Sequence, residues 1–471
     1  MSAITPPGSP DGPTIVWFRD DLRLADHPAL HAAIDRGAPV IGVYVLDEVS
    51  PGVRPLGGAT KWWLHESLAA LSTSIGALGG RLVLRRGPAA DVIPALSAEA
   101  GAAAVFWNRR YGAAERDVDT GVKLAAREAG LDAISFQGSL LFEPWTVTTG
   151  QGGPYSVFTP FWRACTTHGE PRHPLDSPDA IDGADLAIDS DELNAWCLQP
   201  ETPDWAGGLR DAWTPGELGA VERLEHFVEH ALDGYTAHRD EPAVLATSNL
   251  SPHLRFGEVS PFTVWHAVDA ARSAAPSALG KDASKFLAEL GWREFSYNLL
   301  FHNPELATKN FRPEFDGFPW PEPDPAALTA WQRGETGFPL VDAGMRQLWK
   351  TGYMHNRVRM VAASFLIKNL MIDWRVGEQW FWDTLVDADP ASNAASWQWV
   401  AGSGADAAPY FRVFNPQLQL DKFDPERRYA REFIPELDTA DYPAPIVDLG
   451  ETRQAALAAF EAVKRGKAES A

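Results

Sequence analysis

Thirteen residues, Asp387-Ala-Asp389-Pro-Ala-Ser-Asn393-Ala-Ala-Ser-Trp397-Gln-Trp399, hold two carboxylates, an amide and two indoles. Carboxylates and amides hydrogen-bond the polar edge of a heteroaromatic ring, and an indole packs against its face. The set suits a large, buried, electron-rich aromatic cofactor. Asp389, Asn393 and Trp397 recur every four residues, so a helix gathers them on one side. A helix with ordinary core tryptophans accounts for the same letters, and the segment alone does not choose between the two.

Two more segments carry the same kind of chemistry. Glu289 and Trp292 are three apart, and Asn356 and Met360 four apart, so each pair shares a helical face. Thr247-Ser248-Asn249-Leu250-Ser251-Pro252 places hydroxyls and capping residues ahead of an expected helix, where free N–H groups and the helix dipole attract phosphate. Capping alone also explains Ser and Thr there.

The elements that must position these residues follow from periodicity. Short apolar runs at 14–18, 40–46, 81–84, 104–107 and 133–136 alternate with helix-like stretches at 27–36, 60–78, 88–100 and 114–129. Near-continuous apolar strands alternating with helices predict a doubly wound parallel sheet. No Gly-x-Gly-x-x-Gly follows the first strand, so a dinucleotide fingerprint is absent from this region. Residues 137–220, rich in Pro, Gly and Asp, read as a connector with at most short helices. From 221 to 471 the pattern is helical, at 221–232, 260–273, 282–301, 341–351, 355–372, 376–386 and 390–400. The candidate site residues fall almost entirely in this half. Residues 1–13 have neither a basic start nor an apolar core and read as a disordered leader.

Composition narrows the class. A chain of 471 residues most simply forms two domains. No run of about eighteen apolar residues appears, so no membrane span is expected. Cys165 and Cys197 are the only cysteines, which fits a reducing cytoplasm and is too few for a four-cysteine iron–sulfur cluster. No metal is expected. The net charge of −22 argues against nonspecific DNA binding, but the charge is unevenly spread. Residues 176–205 carry nine acids and no Lys or Arg; residues 346–375 carry Arg346, Lys350, Arg357, Arg359, Lys368 and Arg375 against Asp373 alone. Over a Debye length of about 8 Å the local patch outweighs the total.

Together, the 387–399, 289–295, 354–360 and 247–252 segments resemble the photolyase/cryptochrome family of flavoproteins. The likeness runs from Trp17-Phe18-Arg19-Asp20-Asp21-Leu22-Arg23 to Asn415-Pro416. It implies an α/β antenna domain (14–136), a connector and an all-helical FAD-binding domain, with light-driven repair of cyclobutane pyrimidine dimers in DNA. By this resemblance Tyr235, Thr247, Ser248, Asn249, Leu250 and Ser251 contact FAD, with Asp387, Asp389 and Asn393 holding its ring and ribityl chain and Arg359 pairing with Asp387. Asn393 takes the position facing flavin N5, where photolyases resemble an asparagine and plant cryptochromes an aspartate. Glu289, Trp292, Asn356, Met360 and Trp399 correspond to dimer contacts, and Arg239 and Arg357 to DNA-backbone contacts. Trp397, Trp374 and Trp320 correspond to an electron relay. The family also implies an antenna chromophore, either methenyltetrahydrofolate through Glu115 or a deazaflavin; Ala114 departs from the asparagine of well-known folate binders. His355-Asn356 replaces the His-His pair of (6-4) enzymes, which favours the cyclobutane lesion.

A monomeric lyase is therefore expected. The alternative is a cryptochrome-type photoreceptor without repair activity. Against it, Trp399 stands where plant cryptochromes carry a tyrosine, and only about fifty residues follow Asn415-Pro416. Details such as Gly291-Trp292-Arg293-Glu294-Phe295-Ser296-Tyr297 resemble the bacterial class III subgroup.

Overall fold

Five strands, β1 (Thr14–Phe18), β2 (Val40–Leu46), β3 (Leu82–Arg86), β4 (Ala104–Asn108) and β5 (Asp132–Phe136), form one parallel sheet in the order β3-β2-β1-β4-β5. Every residue of β1, β2 and β4 is buried. Helices cover both faces of such a sheet, so its strands need no polar side. The computed structural model describes residues 12–183, 187–407 and 411–470. Most of the expected leader, residues 1–11, lies outside the described residues.

The strand order reverses between β1 and β4, the crevice where open α/β sheets usually bind a ligand. Here the chain's own helical half fills it. Arg255 donates Nη1 to Asp20 Oδ1 (2.7 Å), Leu22 N–H donates to the Phe256 carbonyl (3.0 Å), and Arg23 Nη1 to the Gly257 carbonyl (2.9 Å). Gly257 has φ +64, and a Cβ there would lie 2.1 Å from the Asp20 carbonyl oxygen, so both the left-handed turn and the close approach require glycine.

The expected connector is a packed strap. Its backbone runs along the sheet edge, with bonds from Ile181 N–H to Leu78 O (2.8 Å) and from Asp191 N–H to Leu84 O (2.8 Å). It also contains an eleven-residue helix, Phe158–His168. That helix docks on the 27-residue helix Pro276–His302 through Trp162, whose ring a Cβ on Gly291 would reach at 2.5 Å.

The helical half follows the expected order, with helices at Glu217–His230, Pro261–Ala274, Pro276–His302, Pro339–Thr351, Trp374–Thr384 and Ser392–Ala401. One expected helix, 355–372, differs. It is α-helical over Asn356–Ser364 and then widens into a π turn, Phe365–Asn369, closed by Leu370 N–H to Phe365 O (3.0 Å). Met371, at φ 53, ends it. No helix of the described residues is long and apolar enough to cross a membrane.

Candidate functional site

Asp387 and Asp389 lie just ahead of the helix Ser392–Ala401 and not within it. Asp389 braces the turn into that helix: Oδ1 accepts from the N–H groups of Ala391 (3.0 Å) and Ser392 (2.6 Å), and Oδ2 from the Tyr297 hydroxyl (2.7 Å). Arg255 fixes the same segment by donating Nε to the Ala388 carbonyl (2.8 Å).

Asp387 differs in one respect. Arg359 donates Nη2 to its Oδ2 (2.8 Å), while Oδ1 is buried without a hydrogen-bond partner among the described residues. A buried carboxylate oxygen left unpaired is costly, so it suits an N–H donor from a ligand. Arg359 supplies the cation that such a buried acid requires.

Asn393 is buried, and its Nδ2 donates to both the Glu378 carbonyl oxygen (3.0 Å) and Glu378 Oε1 (2.9 Å). Both are acceptors only, so the amide's orientation is fixed and its Oδ1 is left to accept from elsewhere. Reduced flavin carries an N5–H donor. Asp387 Oδ1 and Asn393 Oδ1 are thus two acceptor oxygens open to the N–H donors of a ligand such as a flavin.

The Thr247–Ser251 run does not cap in the expected way. The helix Ser251–Arg255 spans five residues, its N-cap is Leu250, and no side chain bonds its first turn. Asn249 instead turns the chain at φ 51, with Thr247 Oγ1 donating to Asn249 Oδ1 (3.2 Å). Tyr353, which no spacing pointed to, packs on the charged pair, with the Arg359 guanidinium 5.1 Å over its ring. Tyr235 is buried between Phe227 and Phe286, with Arg239 over its ring.

A second cluster surrounds Trp292 and Glu289, both half-buried on the long helix. Phe158 stacks on Trp292, with ring centroids 3.8 Å apart and planes within 8°. Trp399 is tied to the same strap: its Nε1 donates to the Asp406 carbonyl (3.2 Å), and Asp406 N–H donates to the Ser156 carbonyl (3.1 Å). Glu289 pairs with Arg239 and with Lys285 (2.9 Å). Arg357 pairs with Asp240 (2.9 Å) and donates to Met360 Sδ (3.7 Å), while Asn356 is exposed at the start of its helix. Next to them His355 caps that helix through Nδ1 (3.2 Å to Arg357 N–H). Burial pushes His355 down to about 4, so it is neutral at physiological pH.

Trp397 and Trp374 are buried in one apolar cluster, with Trp320 half-buried at its edge. The nearest rings around Trp397 are Phe381 (4.9 Å) and Trp331 (6.4 Å), the latter unremarked in the sequence. Glu115, in the first turn of the helix Ala113–Glu128, folds its carboxylate back over Gly112. It stands far in sequence from the residues above.

Residues 286–441 match the FAD binding domain of DNA photolyase, and residues 14–179 match the DNA photolyase family. The Agrobacterium fabrum protein named deoxyribodipyrimidine photo-lyase is 52% identical over 96% of this chain and 98% of its own. This chain belongs to the photolyase/cryptochrome family. The crystal structure of a bacterial class III photolyase from Agrobacterium tumefaciens superposes with a TM-score of 0.92 at 51% identity, covering 96% of this chain and 98% of that one. Cryptochrome-1 of Arabidopsis thaliana is 36% identical over 94% of this chain and 69% of that protein. The photolyase family fold therefore accounts for both halves, the parallel sheet and the helical FAD-binding region.

Proposed function

We propose that the chain is a light-driven deoxyribodipyrimidine photo-lyase that splits cyclobutane pyrimidine dimers in DNA, within the class III subgroup. The observation that carries this reading is the joining of Trp292 and Trp399 to one strap, with Glu289 three residues before Trp292. Two half-buried indoles and a carboxylate suit a lesion with apolar ring faces and polar edges better than a packed core.

Photolyases belong to the enzymes that flip a base, at a cost of a few kcal/mol that is lowest for damaged pairs. Trp292 and Trp399 offer the stacking faces that repay it. Glu289 presents a carboxylate to the dimer's N3–H edge, braced by Arg239 and Lys285. Arg239 and Arg357 face the phosphate backbone. Deeper, Asp387, Asp389 and Asn393 hold the flavin ring, with Arg359 balancing Asp387, and Tyr235 and the Thr247–Ser251 turn lie along the rest of FAD. When bound and reduced, FAD supplies the light-excited electron that opens the cyclobutane ring. Trp397, Trp374 and Trp320 carry electrons inward from the surface.

For the antenna we propose methenyltetrahydrofolate ahead of a deazaflavin. Glu115 supports it; Ala114 counts against it. The protein acts as a cytoplasmic monomer in this reading, in line with its two free cysteines. The test is to illuminate the reduced protein with a thymine-dimer oligonucleotide in blue or near-ultraviolet light. Thymine absorbance returns if the reading holds. A photoreceptor of the cryptochrome type leaves the dimer intact.

A further inference from the structure

Glu378 is the pivot that turns Asn393, and it is itself held from the other half of the molecule. Its side chain is 4% exposed, and a carboxylate buried to that degree needs a cation. Arg54, in the loop between β2 and the helix Gly58–Ala77, provides it in bidentate form, Nη1 to Oε1 (2.7 Å) and Nη2 to Oε2 (2.9 Å). The guanidinium lies 4.1 Å over the Trp382 ring, and Trp382 Nε1 donates to the Pro55 carbonyl (2.9 Å), so the arginine is stacked and fixed.

We propose that Arg54 is a positioning residue for the flavin: by clamping both Glu378 oxygens, it keeps Oε1 in place as the acceptor for the Asn393 amide and so locks the Asn393 carbonyl toward the cofactor. The inference rests on the reading of Asn393 as the neighbour of flavin N5. Glu378 Oε1 receives both Arg54 and Asn393. An amide flip would set Asn393 Oδ1 against two acceptor oxygens with no hydrogen between them. Without the arginine, Glu378 loses the clamp on both oxygens and turns away, which frees the amide. The locked carbonyl favours reduced flavin, whose N5 donates, over oxidised flavin, whose N5 accepts. Arg54 therefore tunes the cofactor's potential without touching it.

The test is the two-electron midpoint potential of bound FAD in Arg54→Gln, in Glu378→Gln and in Asp383→Asn. The last variant loosens the same junction, because Gly58 N–H donates to Asp383 Oδ1 (2.8 Å), yet it spares the Arg54–Glu378 pair. One hydrogen bond of ordinary net strength is a roughly five-fold shift in the reduced-to-oxidised ratio, about 20 mV on a two-electron couple. Arg54→Gln and Glu378→Gln should each lower the potential by about that amount with FAD fully bound, the double variant no further, and Asp383→Asn not at all. Should Arg54→Gln fail to fold, Glu378→Gln alone decides. An unchanged potential in the folded variants, or an equal fall in Asp383→Asn, overturns the inference. Absence of FAD from the wild-type protein would instead overturn the proposed function.

Discussion

Asp240→Asn should tighten the grip on DNA. Asp240 Oδ2 holds Arg357 Nη2 at 2.9 Å, and Asp240 Oδ1 lies 3.8 Å from Arg239 Nε. Both arginines are assigned to the phosphate backbone, so phosphates must compete with this carboxylate for them. The Arg357 and Asp240 side chains are 19% and 33% exposed, so solvent screens the pair. A partly exposed pair of this kind is worth at most about 1 kcal/mol. Freeing Arg357 therefore gains up to a roughly five-fold lower Kd, and removing a negative charge from the rim adds to it. Phosphate contacts carry no sequence information, so damaged and undamaged oligonucleotides should gain alike. The logarithmic salt dependence should steepen by up to about 0.9 for one further phosphate contact. Fluorescence anisotropy with both oligonucleotides, from about 50 to about 200 mM salt, measures all three quantities. Equal or weaker binding by the variant, with FAD content and Tm unchanged, would refute the assignment of Arg357 to the backbone.

Trp292→Ala should cost about 1–3 kcal/mol in affinity for dimer-containing DNA, the worth of one stacked base, while FAD stays bound. Wild-type affinity would remove Trp292 from the lesion pocket. Trp397→Phe should slow light-driven reduction of oxidised flavin and spare repair by chemically reduced protein; normal photoreduction would dismiss the relay. Burial pushes Glu294 up to about 7, so the folded state keeps a proton that the unfolded chain releases above about 4.5. Stability should then fall as pH rises between those values. Glu294→Gln should flatten that fall, by on the order of 3 kcal/mol at pH 8, as read from Tm against pH; an unchanged profile would contradict it.

The sheet was legible because buried parallel strands must be apolar almost without interruption, as β1 and β2 are. The long helices were legible because their apolar faces recur at helical spacing. The strap helix Phe158–His168 was not: it contains Pro160, and its anchor is Trp162 beneath Gly291, a contact between residues more than a hundred positions apart. The partners of the site residues were hidden for the same reason. Arg54 and Glu378 are separated by 324 positions, and Tyr297 and Asp389 by 92, so no local spacing joins them. Asp389 was placed on a helix face by its four-residue spacing to Asn393; it lies three residues before the helix begins, bracing the turn that leads into it. The hydroxyls of the Thr247–Ser251 run suggested capping too, but the left-handed Asn249 turns the chain away from it.

The central claim is that reduced flavin and a flipped dimer meet in this helical half. The most direct measurement is the recovery of thymine absorbance when the reduced, FAD-loaded protein and a dimer-containing oligonucleotide are lit with blue light. Repair that needs light, and that falls sharply in Glu289→Ala or Trp399→Ala, is the predicted result. Dimers that persist under illumination, with flavin reduced and DNA bound, would contradict it.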